Sequence, residues 1–219
     1  MRLGARRWCT DPPWSDPAAA LAFLLSAPAI NPVVLAATAV AFPGQPQMVF
    51  GRLCASFAAS VGMGWLWLRL GRTDWLRLPR RAPVAGNRAM AYVAAVRHDA
   101  AEAAGFLVIG AAAAATLNVL VPPRWLHPLA AHQVLSVLAL AGLAVLLSIC
   151  SEADAFVAAS LAQFSLTARL AFLVVGPMVD LKLFAMQAGT FGRAFAVRFA
   201  PATFGLGVGL AALIGTLLW

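Results

Sequence analysis

Ala18-Ala-Ala-Leu-Ala-Phe-Leu-Leu-Ser-Ala-Pro28-Ala-Ile-Asn31-Pro32-Val-Val-Leu-Ala-Ala-Thr-Ala-Val-Ala-Phe42 is apolar almost from end to end and long enough to cross a bilayer, yet prolines interrupt it at its centre. A spanning helix needs about 20 apolar residues. Proline in a helix interior removes a backbone donor and clashes with the preceding turn. In lipid, such a break survives only where the freed groups face protein or a wet cavity. The second half of the chain repeats the pattern in Arg169-Leu-Ala-Phe-Leu-Val-Val-Gly-Pro177-Met-Val-Asp180-Leu-Lys182-Leu-Phe-Ala-Met-Gln-Ala188. Leu21-Ala-Phe-Leu24 matches Leu170-Ala-Phe-Leu173, Pro28 matches Pro177, Ile30-Asn31 matches Val179-Asp180, and Phe42 matches Phe191, all at one offset of 149 residues. The spacing predicts an internal duplication built on a broken helix.

Composition agrees with a bilayer. Of 219 residues, 62% are hydrophobic and 11% charged, and the mean hydropathy is +0.84. A soluble domain carries about a quarter charged residues, and a chain this small has no core large enough to hide so much apolar surface. The net charge of +8 invites comparison with nucleic-acid binders. The basic residues, however, are nearly all Arg and gather between apolar runs, which is the distribution of positive charge in cytoplasmic loops. Nucleic acid is therefore excluded as a partner, and the lipid bilayer takes its place.

The reading is an all-α polytopic bundle of about six spans with a re-entrant half-helix. The spans are expected at about 18–42, 48–70, 100–121, 129–149, 169–188 and 199–219, with residues 150–164 too short and polar to cross. Residues 1–17 form a cytoplasmic N-terminal end, with no cleavable signal evident, and residues 18–219 form one membrane domain. Within it, 18–70 is an incomplete first repeat, 71–99 a basic loop, 100–128 the third span with its outer turn, and 129–219 the second repeat. The loop carries Arg72, Arg77, Arg80, Arg81, Arg88 and Arg97, which places it, and from it both termini, in the cytoplasm. Arg193 and Arg198 then fall in an outer connection, against the charge rule. Trp65, Trp67 and Trp75 suit an interfacial aromatic belt.

The chemistry gathers around the two breaks. Asn31 before Pro32 reads as an N-cap with proline at the first helical position, and Asp180 holds the matching place. Two helix N-termini would then point inward, offering unpaired N–H groups and partial positive charge. Interrupted helices in both halves of a chain are the sequence pointer to a transporter's binding site. Lys182 is the chain's single lysine and lies in an apolar run, where ionisable groups are costly and usually functional. Two residues from Asp180, it points elsewhere on a helix, so Glu152 or Asp154 is its expected partner; the alternative is that Asp180 and Lys182 both reach the aqueous boundary. Asp180 or Glu152 is the expected carrier of a coupling proton, because low dielectric favours the neutral carboxyl.

Cys150 precedes Ser151, Glu152 and Asp154, where a thiolate would suit a soft metal or metalloid and a thiol would serve as a small buried hydrophobe. With Cys9 and Cys54 it forms neither a disulfide framework nor a zinc motif. His98, His127 and His132 are isolated, and Gly205, Gly207 and Gly209 suit close helix packing. The candidate pathway is Pro28, Asn31, Pro32, Cys150, Ser151, Glu152, Asp154, Pro177, Asp180 and Lys182, with no catalytic residue, metal ligand or cofactor. No HExxH or GxSxG motif supports an enzyme.

The segments Ala22–Leu35, Cys150-Ser-Glu-Ala-Asp-Ala-Phe156 and Leu170–Leu183 resemble the bacterial family of predicted permeases that includes the YraQ-like proteins and the organoarsenical efflux permeases. The resemblance covers most of the chain from Ala18 onward. It implies a permease of the bacterial cytoplasmic membrane with two similar halves, moving a small solute such as a metalloid or metal-related species. Family members carry further spans and a Cys-Ser-Cys-type motif ahead of the Ala-Phe-Leu stretch. Here Arg6-Arg-Trp-Cys-Thr-Asp-Pro-Pro-Trp-Ser-Asp-Pro17 does not match, so the chain reads as N-terminally shortened and a thiol-based arsenical site as short of ligands. The competing expectation is a non-transporting membrane subunit or a remnant of such a permease. A homo-oligomer or a partner subunit is compatible with either.

Overall fold

The computed structural model describes residues 17–71, 132–148 and 150–219, together with 90, 92–94, 96–97 and 101. The expected third span, most of the basic loop, Cys9, Trp75, His98 and His127 lie outside the described residues. Every regular element among those described is an α-helix.

The first apolar run forms α1 (Pro17–Ala29) and α2 (Pro32–Ala41), separated at Ile30-Asn31. Asn31 has extended backbone, and its side chain accepts the Val33 N–H at 2.9 Å. Pro32 follows at the first helical position, where its missing N–H costs nothing. Pro28 stays inside α1, one turn before the break. After the turn at Pro43-Gly44, α3 (Pro46–Leu70) buries Met48, Arg52, Ala55, Ser56, Ala59, Ser60 and Met63, spaced three or four apart along one face. Phe50, Phe57, Val61, Trp65 and Leu68 are exposed, an apolar face of the kind that meets lipid or other protein.

The later half comprises α4 (Gln133–Leu147), α5 (Ala153–Ser160), α6 (Leu166–Val175), α7 (Leu181–Thr190) and α8 (Arg193–Leu218). Helix α6 is enclosed by α3, α4, α5 and α8. Leu170 through Val175 are all buried, as expected of a short helix apolar on every side. The fifth run is thus divided, since helix stops at Val175 and resumes at Leu181. The last helix starts at Arg193, six residues before the expected start at Phe199. Arg193 and Arg198 lie in its first turns and not in a loop. Gly192 takes φ +101°, a conformation nearly confined to glycine, and this sharp turn lets α8 begin at once. Inside α8, Phe195 and Phe199 stack at 4.7 Å and Trp67 meets Phe195 edge-on at 5.3 Å.

Among the described residues, three stretches are long and apolar enough to cross a membrane: Pro17–Ala41, Pro46–Leu70 and Arg193–Leu218. Gln133–Leu147 and Leu166–Val175 are apolar but shorter. Short, interrupted helices are tolerated at membrane depth where other protein covers their ends, and α6 meets that condition.

Candidate functional site

A cavity of about 200 Å³ opens where the two interrupted runs meet. Pro28 of α1 borders it from the first half, and Pro177, Asp180, Lys182 and Leu183 from the second. Ser148, Cys150 and Ser151, which link α4 to α5, complete the lining. Six of the ten sequence-predicted residues therefore share one cavity. Asn31, Pro32, Glu152 and Asp154 do not line it.

The breaks are held by specific caps. Asp180 is extended, with its carboxylate accepting the Leu183 N–H. Ser148 ends α4 in the left-handed region, φ +46°, unusual for a residue with a β-carbon. From there its hydroxyl accepts the Leu181 N–H at 3.0 Å and donates to the Val145 carbonyl at 3.0 Å. The first turn of α7 is thus bonded by side chains from two elements, and the expectation of unpaired N–H groups facing the cavity fails there. The first backbone donors of a helix need outside partners, and Ser148 and Asp180 are those partners. The cavity's polarity accordingly comes from side chains and loop carbonyls more than from an open helix end.

Beside the cavity, the Cys150 thiol donates to the Glu152 carboxylate, and Cys150 is free of any disulfide. Lys182 is exposed and its charge acts on Asp180, although they are only two residues apart.

Behind the cavity lies a group that sequence reasoning passes over. Arg52 of α3 is 0% exposed. Its Nη1 donates to Thr38 Oγ1 of α2 at 2.6 Å, and its Nη2 to the Ser151 carbonyl at 3.0 Å. Thr38 passes its own proton to the Val34 carbonyl at 2.8 Å. One guanidinium thereby joins α2, α3 and the cavity lining. Its planar fork of donors suits such a junction. Asp154 of α5 is 1% exposed, and its charge, with that of Glu152, faces Arg52. Arg52 is thus a basic residue opposite these two carboxylates that the sequence reading did not name. The signal was available, because an arginine within an apolar run is costly enough to be functional by default.

Asp154 Oδ2 has no hydrogen-bond partner among the described residues. It rests against Gly176, where an added β-carbon would stand 2.6 Å from it. Only a glycine leaves room there for the carboxylate.

A family model described as a predicted permease matches residues 15–217. The chain belongs to this predicted permease family. Among curated relatives of the chain, the UPF0718 protein YcgR of Bacillus subtilis (strain 168) is 35% identical over 185 residues, covering 81% of this chain and 63% of its own length. A Streptococcus mutans serotype c protein with the provisional name of two-component membrane permease complex subunit is 32% identical over 190 residues, covering 82% of this chain and 63% of its own. The chain thus spans about 63% of the length of these relatives. No solved structure matches it. Family and apolar helices together make it a multi-pass membrane protein of the predicted permease family.

Proposed function

We propose that this permease moves a small polar or charged solute across the bacterial cytoplasmic membrane through the cavity between the two interrupted runs. One observation carries the reading: Pro28 and Pro177, which stand 149 residues apart in the sequence, border the same cavity. Two breaks that merely kinked packed helices would have no reason to converge on a space that also holds an acid and a lysine. Asp180 and Lys182 supply opposite charges at its wall, and the Ser148 hydroxyl and Cys150 thiol add hydrogen-bonding capacity. Arrangements of broken helices around a midplane site are the usual basis of secondary transport. On this reading the halves are two copies of one unit, the described spans belong to a bundle of about six, and both termini face the cytoplasm. Cys150 has Glu152 as its neighbour and no second thiol among the described residues lining the cavity. That favours a hydrogen-bonded solute over one held by several sulfurs.

The test is growth and uptake of a deletion strain against a panel of small inorganic and organic solutes, complemented with wild type or with Asp180→Asn, Lys182→Gln and Pro177→Leu. A solute whose flux is restored by wild type and lost in Lys182→Gln supports the site. Flux restored equally by all three variants removes the cavity from the pathway.

A second reading is favoured by the name of the Streptococcus mutans relative, a subunit of a two-component complex. There the chain would complete its pathway only with a partner membrane protein. Restoration of flux by co-expression with a second membrane protein of the same organism, but never by this chain alone, would select that reading.

A further inference from the structure

We propose that Asp154 is a proton-binding site set behind the solute cavity and balanced by Arg52, so that proton loading there bears on both walls of the cavity. This rests on the cavity being the solute site, and it names the coupling group.

Three carboxylates crowd this region, and they differ in what their oxygens do. Asp180 caps α7 by accepting the Leu183 N–H, and Glu152 accepts the Cys150 thiol. Both are engaged as acceptors, a role that an added proton would weaken. Asp154 is buried, and its Oδ2 is without a hydrogen-bond partner among the described residues. A buried, unbonded carboxylate oxygen is costly, and a proton relieves that cost directly. The groups facing Asp154 are Arg52 from α3, Asp180 from the break between α6 and α7, and Glu152 from its own segment. One positive and two negative neighbours leave the charged and neutral forms in close competition.

The placement gives the proton something to act on. Arg52 holds the Ser151 carbonyl at 3.0 Å, and Ser151 lines the cavity. Asp154 presses on Gly176, and the next residue, Pro177, lines the cavity from the other side. When Asp154 takes a proton, Arg52 loses one of the two carboxylate charges that face it and keeps that of Glu152, and the attraction drawing the two walls together weakens.

The full chain reconstituted in lipid bilayers supplies a test that needs no solute. Infrared difference spectra between acid and alkaline buffers over about pH 5 to 9 will show the carbonyl band of a protonated carboxylic acid. An isotope label on the aspartate carboxyl carbon will displace that band. Asp154→Asn will abolish it, whereas Asp180→Asn and Glu152→Gln will retain it. Arg52→Gln will carry the band to more alkaline pH, and Arg52→Lys will return its midpoint towards wild type. Should Asp154→Asn not fold, the labelled wild type and the two Arg52 variants decide the matter. A labelled band indifferent to Arg52→Gln, a band lost in Asp180→Asn instead, or no titrating aspartate band overturns the proposal. Because the readout is independent of transport, failure of the solute screen would strike the permease site while leaving this band in place.

Discussion

The Arg52–Asp154 arrangement makes a quantitative prediction about stability. Replacing Arg52 by Met keeps the apolar stem and removes the guanidinium. The Ser151 carbonyl and Thr38 hydroxyl each lose a charged donor, at 3.0 and 2.6 Å, and Asp154 loses the positive charge facing it. Hydrogen bonds from a guanidinium are stronger than uncharged ones, so both losses count. At a pH where Asp154 is ionised, its buried charge is also left facing Glu152 and Asp180, and removing the charge that balances a buried carboxylate costs about 3–5 kcal/mol. Arg52→Met is therefore expected to lower the unfolding free energy by about 3–5 kcal/mol, and Thr38→Val by about 1 kcal/mol.

The decisive comparison is Arg52→Met with Asp154→Asn added. The stranded carboxylate is then gone, and the double variant will be more stable than the sum of the single effects requires, by about 1–3 kcal/mol. Reversible unfolding by sodium dodecyl sulfate in mixed micelles, followed by tryptophan fluorescence, measures all four corners of the cycle. The Arg52→Met penalty will also shrink as pH falls, because a proton neutralises the carboxylate that the arginine no longer balances. Additivity of the two substitutions within about 0.5 kcal/mol, or a penalty independent of pH, would refute the coupling.

Further substitutions separate capping from charge. Asp180→Ala removes the cap of α7 and should cost about 0.5–2 kcal/mol of stability, whereas Asp180→Asn keeps an acceptor for the Leu183 N–H and should unfold near wild type while losing solute flux. Ser148→Ala deletes the acceptor of the Leu181 N–H; about 1 kcal/mol of destabilisation and faster hydrogen exchange at the start of α7 are expected, read by mass spectrometry. Gly176→Ala places a methyl 2.6 Å from Asp154 Oδ2 and 3.3 Å from the Phe172 carbonyl. It should cost about 1–3 kcal/mol through overpacking, with partial relief in the double variant Gly176→Ala/Asp154→Ala, both measured in the same micelle titration.

Much of this architecture was readable because its signals are local. Asn31 before Pro32 and Asp180 after Pro177 name their caps outright, since short polar side chains ahead of a helical start do one thing well. The run at 46–70 ends within two residues of expectation because Pro46 opens it and Gly71 follows it. The start of α8 was hidden by the convention that arginines mark loops. Arg193 and Arg198 are good helix formers, and Gly192 supplies the turn before them. The left-handed Ser148 was invisible for another reason, because nothing in its neighbours demands φ +46° and the need for it arises from α7, 33 residues later. Long-range partners of that kind leave no periodicity to read. Arg52 is the intermediate case. Its cost in an apolar run was legible, but its partners come from two other segments, Thr38 from α2 and Ser151 with Asp154 from the start of α5.

The capped end of α7 alters what the cavity is able to recognise. An open helix N-terminus would favour anions through its backbone donors and partial charge. Here the Leu181 and Leu183 donors are taken by Ser148 and Asp180, and an anionic carboxylate stands at the same end. The dipole is thus largely spent on the protein's own acid. The cavity wall presents a solute with the side chains of Lys182, Ser148, Cys150 and Asp180. Discrimination between solutes should then follow side-chain substitution closely. Lys182→Gln will change which solutes pass, whereas Asn31→Ala, at a cap that does not line the cavity, will lower stability with the order of preference unchanged. Competition among solutes in the uptake assay separates these outcomes, and a reordering of preference in Asn31→Ala would return the recognition role to the helix ends.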